Sequence, residues 1–213
     1  MARRLPVYLV IDTSGSMNGE PIESVKNGMQ ILISSLKQDP HALETAYLSV
    51  ITFDSSARQV FPLTEITQLP KSLDLQASGG TALGEALALL SNRRDAEIVK
   101  TTPDQKGDYK PLVFIMTDGQ PTDDWQKGLN IFKQRKWGMT ICCAAGTQAD
   151  TSVLQQISEV VVQLDTADQA SFKAFFKWVS ASITTTSRVV ETGKETSSAS
   201  KLPPPPKEIT IVQ

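Results

Sequence analysis

Apolar positions along the chain switch between two periods. Leu5 to Ile11 is a continuous apolar run closed by Asp12, and Ile22, Val25, Met29, Leu32, Ile33 and Leu36 then recur at a spacing that puts them on one face of a helix. Pro21 suits the first turn of that helix, where a missing N–H leaves no bond unmade. "AYLSVITF" (46 to 53) and the short "ARQVFPL" (57 to 63) read as strands, the second at a sheet edge because Pro62 cannot donate to a ladder. A helix is expected from about Ala82. The alternation then repeats: strand "PLVFIMT" (111 to 117), a helix marked by Trp125, Leu129 and Phe132, strand "MTICCAAG" (139 to 146), strand "VVVQL" (160 to 164), and a final amphipathic helix carrying Phe172, Phe175, Phe176, Val179 and Ile183.

Because both faces of these strands are apolar, they suit parallel strands covered by helices on either side. The expected fold is therefore α/β, a Rossmann-like, doubly wound, mostly parallel six-stranded sheet with helices on both faces. With 213 residues, 40% of them hydrophobic, one sizeable core is expected. The division is a domain over 1–187 and a Ser/Thr/Pro-rich tail over 188–213. In the tail, Glu191 to Lys201 is too polar to offset the entropy of ordering, Pro203 to Pro206 forms a spacer, and the β-branched "ITIV" either adds to a sheet edge or is an idle end.

Charge narrows the function. Lys plus Arg number 21 against 23 Asp plus Glu, with no basic footprint for nucleic acid. No apolar run approaches the ~18 residues of a membrane span. The opening "MARRLPVYLVID" reads as a core strand and not as a secretion signal, since Pro6 and Asp12 interrupt it and no small-residue cleavage site follows. The two cysteines, Cys142 and Cys143, are neighbours on a strand whose side chains point to opposite faces, so they read as small buried hydrophobes and not as a disulfide. A cytoplasmic location is expected. The single histidine, His41, is placed in a surface loop, which removes support from a histidine zinc site or a serine–histidine hydrolase.

Open α/β sheets place their sites beyond the carboxyl ends of strands, where strand order reverses. Asp12 ends the first strand and Asp118 follows "VFIMT"; if those strands are neighbours, two carboxylates meet with Ser14 and Ser16 beside them. Like charges there call for a cation, and a hard divalent ion taking oxygen ligands at about 2.0–2.1 Å is the natural choice. Each motif also has a plainer reading: Ser14-Gly15-Ser16 as a turn with capping hydroxyls, Thr81 as the N-cap of the helix at Ala82, and Asp118-Gly119 before Pro121 as a turn. Asp54, Asp123 and Asp124 read as solvated surface acids.

Asp12-Thr13-Ser14-Gly15-Ser16 resembles the DxSxS signature of the von Willebrand factor A (VWA) domain, whose metal-ion-dependent adhesion site (MIDAS) is completed by a distant Thr and a distant Asp; here Thr81 and Asp118 stand at the matching positions. The resemblance covers roughly residues 5 to 185 and implies a metal site of Asp12, Ser14, Ser16, Thr81 and Asp118, filled by Mg2+ or Mn2+ with Ca2+ as the alternative. It implies a non-catalytic module that offers the cation to a carboxylate on a protein partner. "RLPVYLVIDTSGSM" running directly into "GEPIESVKNG" is similar to bacterial intracellular TerY-like (tellurium-resistance) members, which implies a stress-response context with a kinase and a PP2C-type phosphatase as partners. The alternative is a metal-dependent hydrolase or phosphotransferase using the same cation, for which no G-x-x-x-x-G-K loop or G-x-S-x-G elbow is present.

Overall fold

A computed structural model describes residues 3–191 and 202–212. Seven strands form one sheet: β1 (Leu5–Asp12), β2 (Ala46–Phe53), β3 (Ala57–Glu65), β4 (Leu112–Thr117), β5 (Met139–Ala145), β6 (Val160–Leu164) and β7 (Ile209–Val212). Their order is β3-β2-β1-β4-β5-β6-β7. The five inner strands are parallel and the two outer ones antiparallel. The described residues thus hold one strand more than the six expected. Residues 209–212, set apart above as part of a tail, pair with β6 of their own chain. The stretch 192–201, expected to be too polar to order, lies outside the described residues.

Among the described residues six α-helices cover the sheet: α1 (Glu20–Lys37), α2 (Pro40–Thr45), α3 (Leu83–Glu97), α4 (Trp125–Lys133), α5 (Thr151–Ile157) and α6 (Gln169–Glu191). Alternation along each strand divides the interior in two. Val7, Leu9 and Ile11 of β1 pack with α1 and α6, whereas Tyr8 and Val10 pack with α3 and the helices beyond it. Every residue of β1 is buried, as a strand with helices on both faces requires. Helix α1 approaches α6 so closely that a Cβ on Gly28 would lie 2.1 Å from Cδ2 of Phe176.

Asp carboxylates start two short helices beyond those expected from the sequence. Asp39 accepts from the amide of Ala42 and opens α2. His41 therefore lies in a short helix and not in the loop expected of it. Asp150 accepts from the amides of Ser152 and Val153 and opens α5. These satisfy donors that the first helical turn leaves without backbone partners. Cys142 and Cys143 are both buried free thiols, one in each half of the core, as their positions on β5 predict.

Candidate metal centre

The reversal of strand order falls at β1, whose neighbours are β2 and β4. From it the chain runs back to β2 and β3 on one side and out through β4 to β7 on the other. The register pairs Ile11 with Met116, so the last residues of β1 and β4 lie side by side and the loops after them share one crevice. Four predicted residues are linked there through side-chain or backbone atoms. Asp12 Oδ1 accepts from the Ser14 amide at 2.7 Å, Ser14 Oγ lies 3.0 Å from Ser16 Oγ, and Ser16 Oγ donates to Asp118 Oδ1 at 2.7 Å. The fifth, Thr81, arrives from the loop before α3. A Cβ on Gly119 would stand 3.7 Å from Thr81 Oγ1 and 3.8 Å from Ser16 Oγ, so both hydroxyls border the same small residue.

Backbone hydrogen bonds hold the three loops together. The Thr13 amide donates to Phe53 O, the Ser78 amide to Thr13 O, and the Gly15 amide to Gly79 O at 3.0 Å. Gly79 has φ +72, and a Cβ on it would lie 2.3 Å from Ser55 Oγ; this position demands glycine on both counts. Thr81 is clamped by Thr122, which accepts from its amide at 2.9 Å and donates its own amide to the Thr81 carbonyl at 3.0 Å.

Thr81 is not the N-cap of α3. Ala82 occupies that position without a side-chain cap, and the Asp123 carboxylate reaches across to accept from the amides of Gly84 and Glu85. Asp124 caps α4 through the Lys127 amide, and Asp54 accepts from the Ser56 amide. All three thus hold backbone donors, where simple solvated acids were expected. Thr117 also belongs to this crevice, beyond the residues expected from the sequence. Its hydroxyl donates to Asp12 Oδ2, and Gly119 donates to that same hydroxyl. A threonine at the end of a strand, adjacent to a site aspartate, was the available signal.

Burial grades the centre from inside to outside. Asp12 is 0% exposed, Ser14 1% and Thr81 5%, while Ser16 lies open to solvent and Asp118 is half-buried. Desolvation pushes the Asp12 carboxyl up from 3.8 to about 6, although hydrogen bonds from Ser14 and Thr117 oppose the rise. Burial also raises Asp118, with the Ser16 hydroxyl working against it. A carboxylate taken out of water, with hydroxyls and amides as its hydrogen-bond partners, is expensive to ionise.

The donor set fits a hard divalent cation. It consists wholly of oxygen atoms from two carboxylates and three hydroxyls, and bound positive charge would relieve the desolvated pair. Among the described residues no group of three or more His, Cys, Asp or Glu side chains could hold a metal. Any site here is therefore hydroxyl-rich, with Ser14, Ser16 and Thr81 supplying neutral donors. Also among the described residues, no helix is long and apolar enough to cross a membrane.

Comparison with known proteins agrees with the fold. The chain is 36% identical over 124 residues to an uncharacterized protein of Synechocystis sp., an overlap of 55% of this chain and 26% of that one. It is 31% identical over 143 residues to the E3 ubiquitin-protein ligase WAVH1 of Arabidopsis thaliana, covering 56% of this chain and 18% of the ligase. The match thus spans about a quarter or less of these longer relatives. Among solved structures, the pilus adhesin SpaC of Lactobacillus rhamnosus GG in its open conformation superimposes with TM-score 0.68 at 15% identity, over 87% of this chain and 30% of SpaC. Proximal thread matrix protein 1 of the mussel byssus, with a zinc-occupied MIDAS motif, superimposes with TM-score 0.62 at 18% identity, over 84% of this chain and 48% of that one. These two likenesses concern the fold. The model of the von Willebrand factor type A domain matches residues 7–176, most of the sheet and all the loops of the crevice, and the chain belongs to that family.

Proposed function

We propose that this chain is a non-catalytic, divalent-metal-dependent protein-binding module whose cation is held by Asp12, Ser14, Ser16, Thr81 and Asp118. The observation that carries this reading is the linked set of oxygens from buried Asp12 through Ser14 and Ser16 to Asp118, with the Thr81 hydroxyl brought to the same glycine. When hydroxyls supply most of the donors, little negative charge is delivered to the cation. The ion then stays electrophilic toward an outside oxygen, and a carboxylate on a partner protein is the complementary group.

Mg2+ or Mn2+ is the expected ion, with Ca2+ as the alternative. Zinc in the MIDAS motif of the mussel protein adds Zn2+ to the set worth testing. The resemblance of the first loop to TerY-like proteins is what supports a cytoplasmic tellurite or stress-response setting in this proposal, with a kinase or PP2C-type phosphatase as the first candidate partners.

Calorimetry with Mg2+, Mn2+, Ca2+ and Zn2+ on the wild type and on Asp12→Ala tests the metal. Saturable binding in the wild type and none in the variant is expected; equal heats in both would refute the site. A pull-down of candidate kinase and phosphatase partners, with Mg2+ and with EDTA, tests the partner. Capture that persists undiminished in EDTA would refute metal-mediated recognition.

A further inference from the structure

Residues 202–212 lie across the end of the fold opposite β3. Trp178 on α6 donates its indole N–H to the Pro203 carbonyl at 2.9 Å, and Leu202 packs partly against the core. The four prolines form neither helix nor strand, the Ile209 amide turns back to Pro206 O, and β7 pairs antiparallel with β6. Its register sets Ile209 against Leu164, Thr210 against Gln163, Ile211 against Val162 and Val212 against Val161.

This attachment is thin beside the five parallel strands. Only Ile209 of the four β7 residues is buried, at 5% exposure, whereas Ile211 is 47% exposed. An open cleft of about 500 Å3, lined by Ala174, Lys177, Trp178, Pro203 and Pro206 among others, lies between the proline run and α6 beside the Trp178–Pro203 hydrogen bond. Protein interiors are packed to crystal density, so a segment bordered by such a cleft gains little dispersion energy. Beneath it, Val161, Val162 and Leu164 of β6 are buried and apolar. A strand with that composition and an uncovered ladder is an efficient acceptor for another strand.

We propose that the β6 edge is a strand-acceptor site, covered in cis by residues 202–212 and open, when they lift, to an extended segment of a partner protein. The occupant is specified by what now sits there: an antiparallel strand with β-branched apolar residues at alternate positions, the first reaching beside Leu164 and the next beside Val162. A proline run upstream can accept the Trp178 indole proton through a carbonyl. Release exposes main-chain donors and acceptors of β6 together with a buried apolar row, and exchange of one strand for another restores both.

The test uses the full chain, its Ile209→Asp variant and a fluorescent peptide with the sequence of residues 202–213. Ile209→Asp buries an unpaired carboxylate against Leu164 and lifts the segment. Hydrogen exchange should then increase at the β6 amides while β1, β4 and β5 remain protected. The peptide should bind this variant at least about tenfold more tightly than the wild type. Equal peptide binding to both proteins, or to neither, would overturn the proposal. So would exchange that rises throughout the sheet, because β7 would then be integral to the core. Dimerisation of the wild type with concentration, accompanied by loss of peptide binding, would assign the edge to a second copy of the chain and overturn the proposed partner.

Discussion

Replacing Asp12 by Asn should stabilise the metal-free protein at neutral pH while abolishing metal binding. Asn keeps the shape of the side chain: its oxygen accepts from the Ser14 amide as Asp12 Oδ1 does, and its NH2 can donate to Thr117 Oγ1 once that hydroxyl rotates. The negative charge is what disappears. With a folded-state value raised from 3.8 to about 6, Asp12 binds its proton more tightly in the native protein than in the unfolded chain. The native state is then favoured at low pH, and that advantage is lost as pH rises from about 4 to 6. At about 1.4 kcal/mol per unit, the cost at pH 7 is on the order of 3 kcal/mol. Urea unfolding in EDTA, at pH 4.5 and at pH 7.5, should show Asp12→Asn more stable than wild type by about that amount at the higher pH and by much less at the lower. The difference between the two proteins isolates Asp12 from the other acids. With saturating Mg2+ the order should narrow or reverse, since only the wild type gains binding energy. A variant less stable than wild type in EDTA at pH 7.5, or an advantage independent of pH, would refute the reasoning.

Asp118→Ala should abolish metal-dependent partner capture yet leave the melting temperature in EDTA unchanged or slightly raised, because one of two desolvated carboxylates is removed; a large fall would make the residue structural. Gly28→Ala drives a methyl group into Phe176 and should cost on the order of 2 kcal/mol despite the better helix propensity of Ala, measurable as a lower urea midpoint. Asp123→Ala leaves the Gly84 and Glu85 amides without their acceptor and should cost about 1 kcal/mol, with much of the loss recovered in Asp123→Asn.

The pattern of apolar positions was enough to read the five parallel strands, because each has buried residues on both faces and therefore appears as a mostly apolar run, whereas β3, with none of its residues buried, was legible as an edge strand through Pro62. The meeting of Asp12 and Asp118 at one crevice was legible for a related reason. An open α/β sheet puts its reversal point beyond strand ends, and Asp12 and Asp118 stand at two of them. The supports were harder to see. Thr122 and Asp123 act on Thr81 and on α3 from about 40 residues away, and no local pattern marks a side chain that will cap another loop. The β7 pairing is equally non-local: "ITIV" declares a strand but not its partner. Helix α5 is seven residues long with three buried side chains, too few for periodicity, and it was not expected; Asp150 at its N-cap was the available signal. Thr81 was open to a plausible local role, and the structure gives the cap to Asp123 instead.

Cys142 and Cys143 make the two-sided interior separately addressable. Adjacent in sequence and equally inaccessible, they lie on opposite sides of one sheet: Cys142 belongs with α3, α4 and α5, Cys143 with α1 and α6. Burial pushes both thiols up, so neither reacts until its own layer parts from the sheet. A chain retaining Cys142 alone and one retaining Cys143 alone would turn alkylation rates into two clocks, one for each blanket of helices. Cation loading could then be followed as the slowing of either clock, which would show whether the crevice tightens one layer, the other, or both.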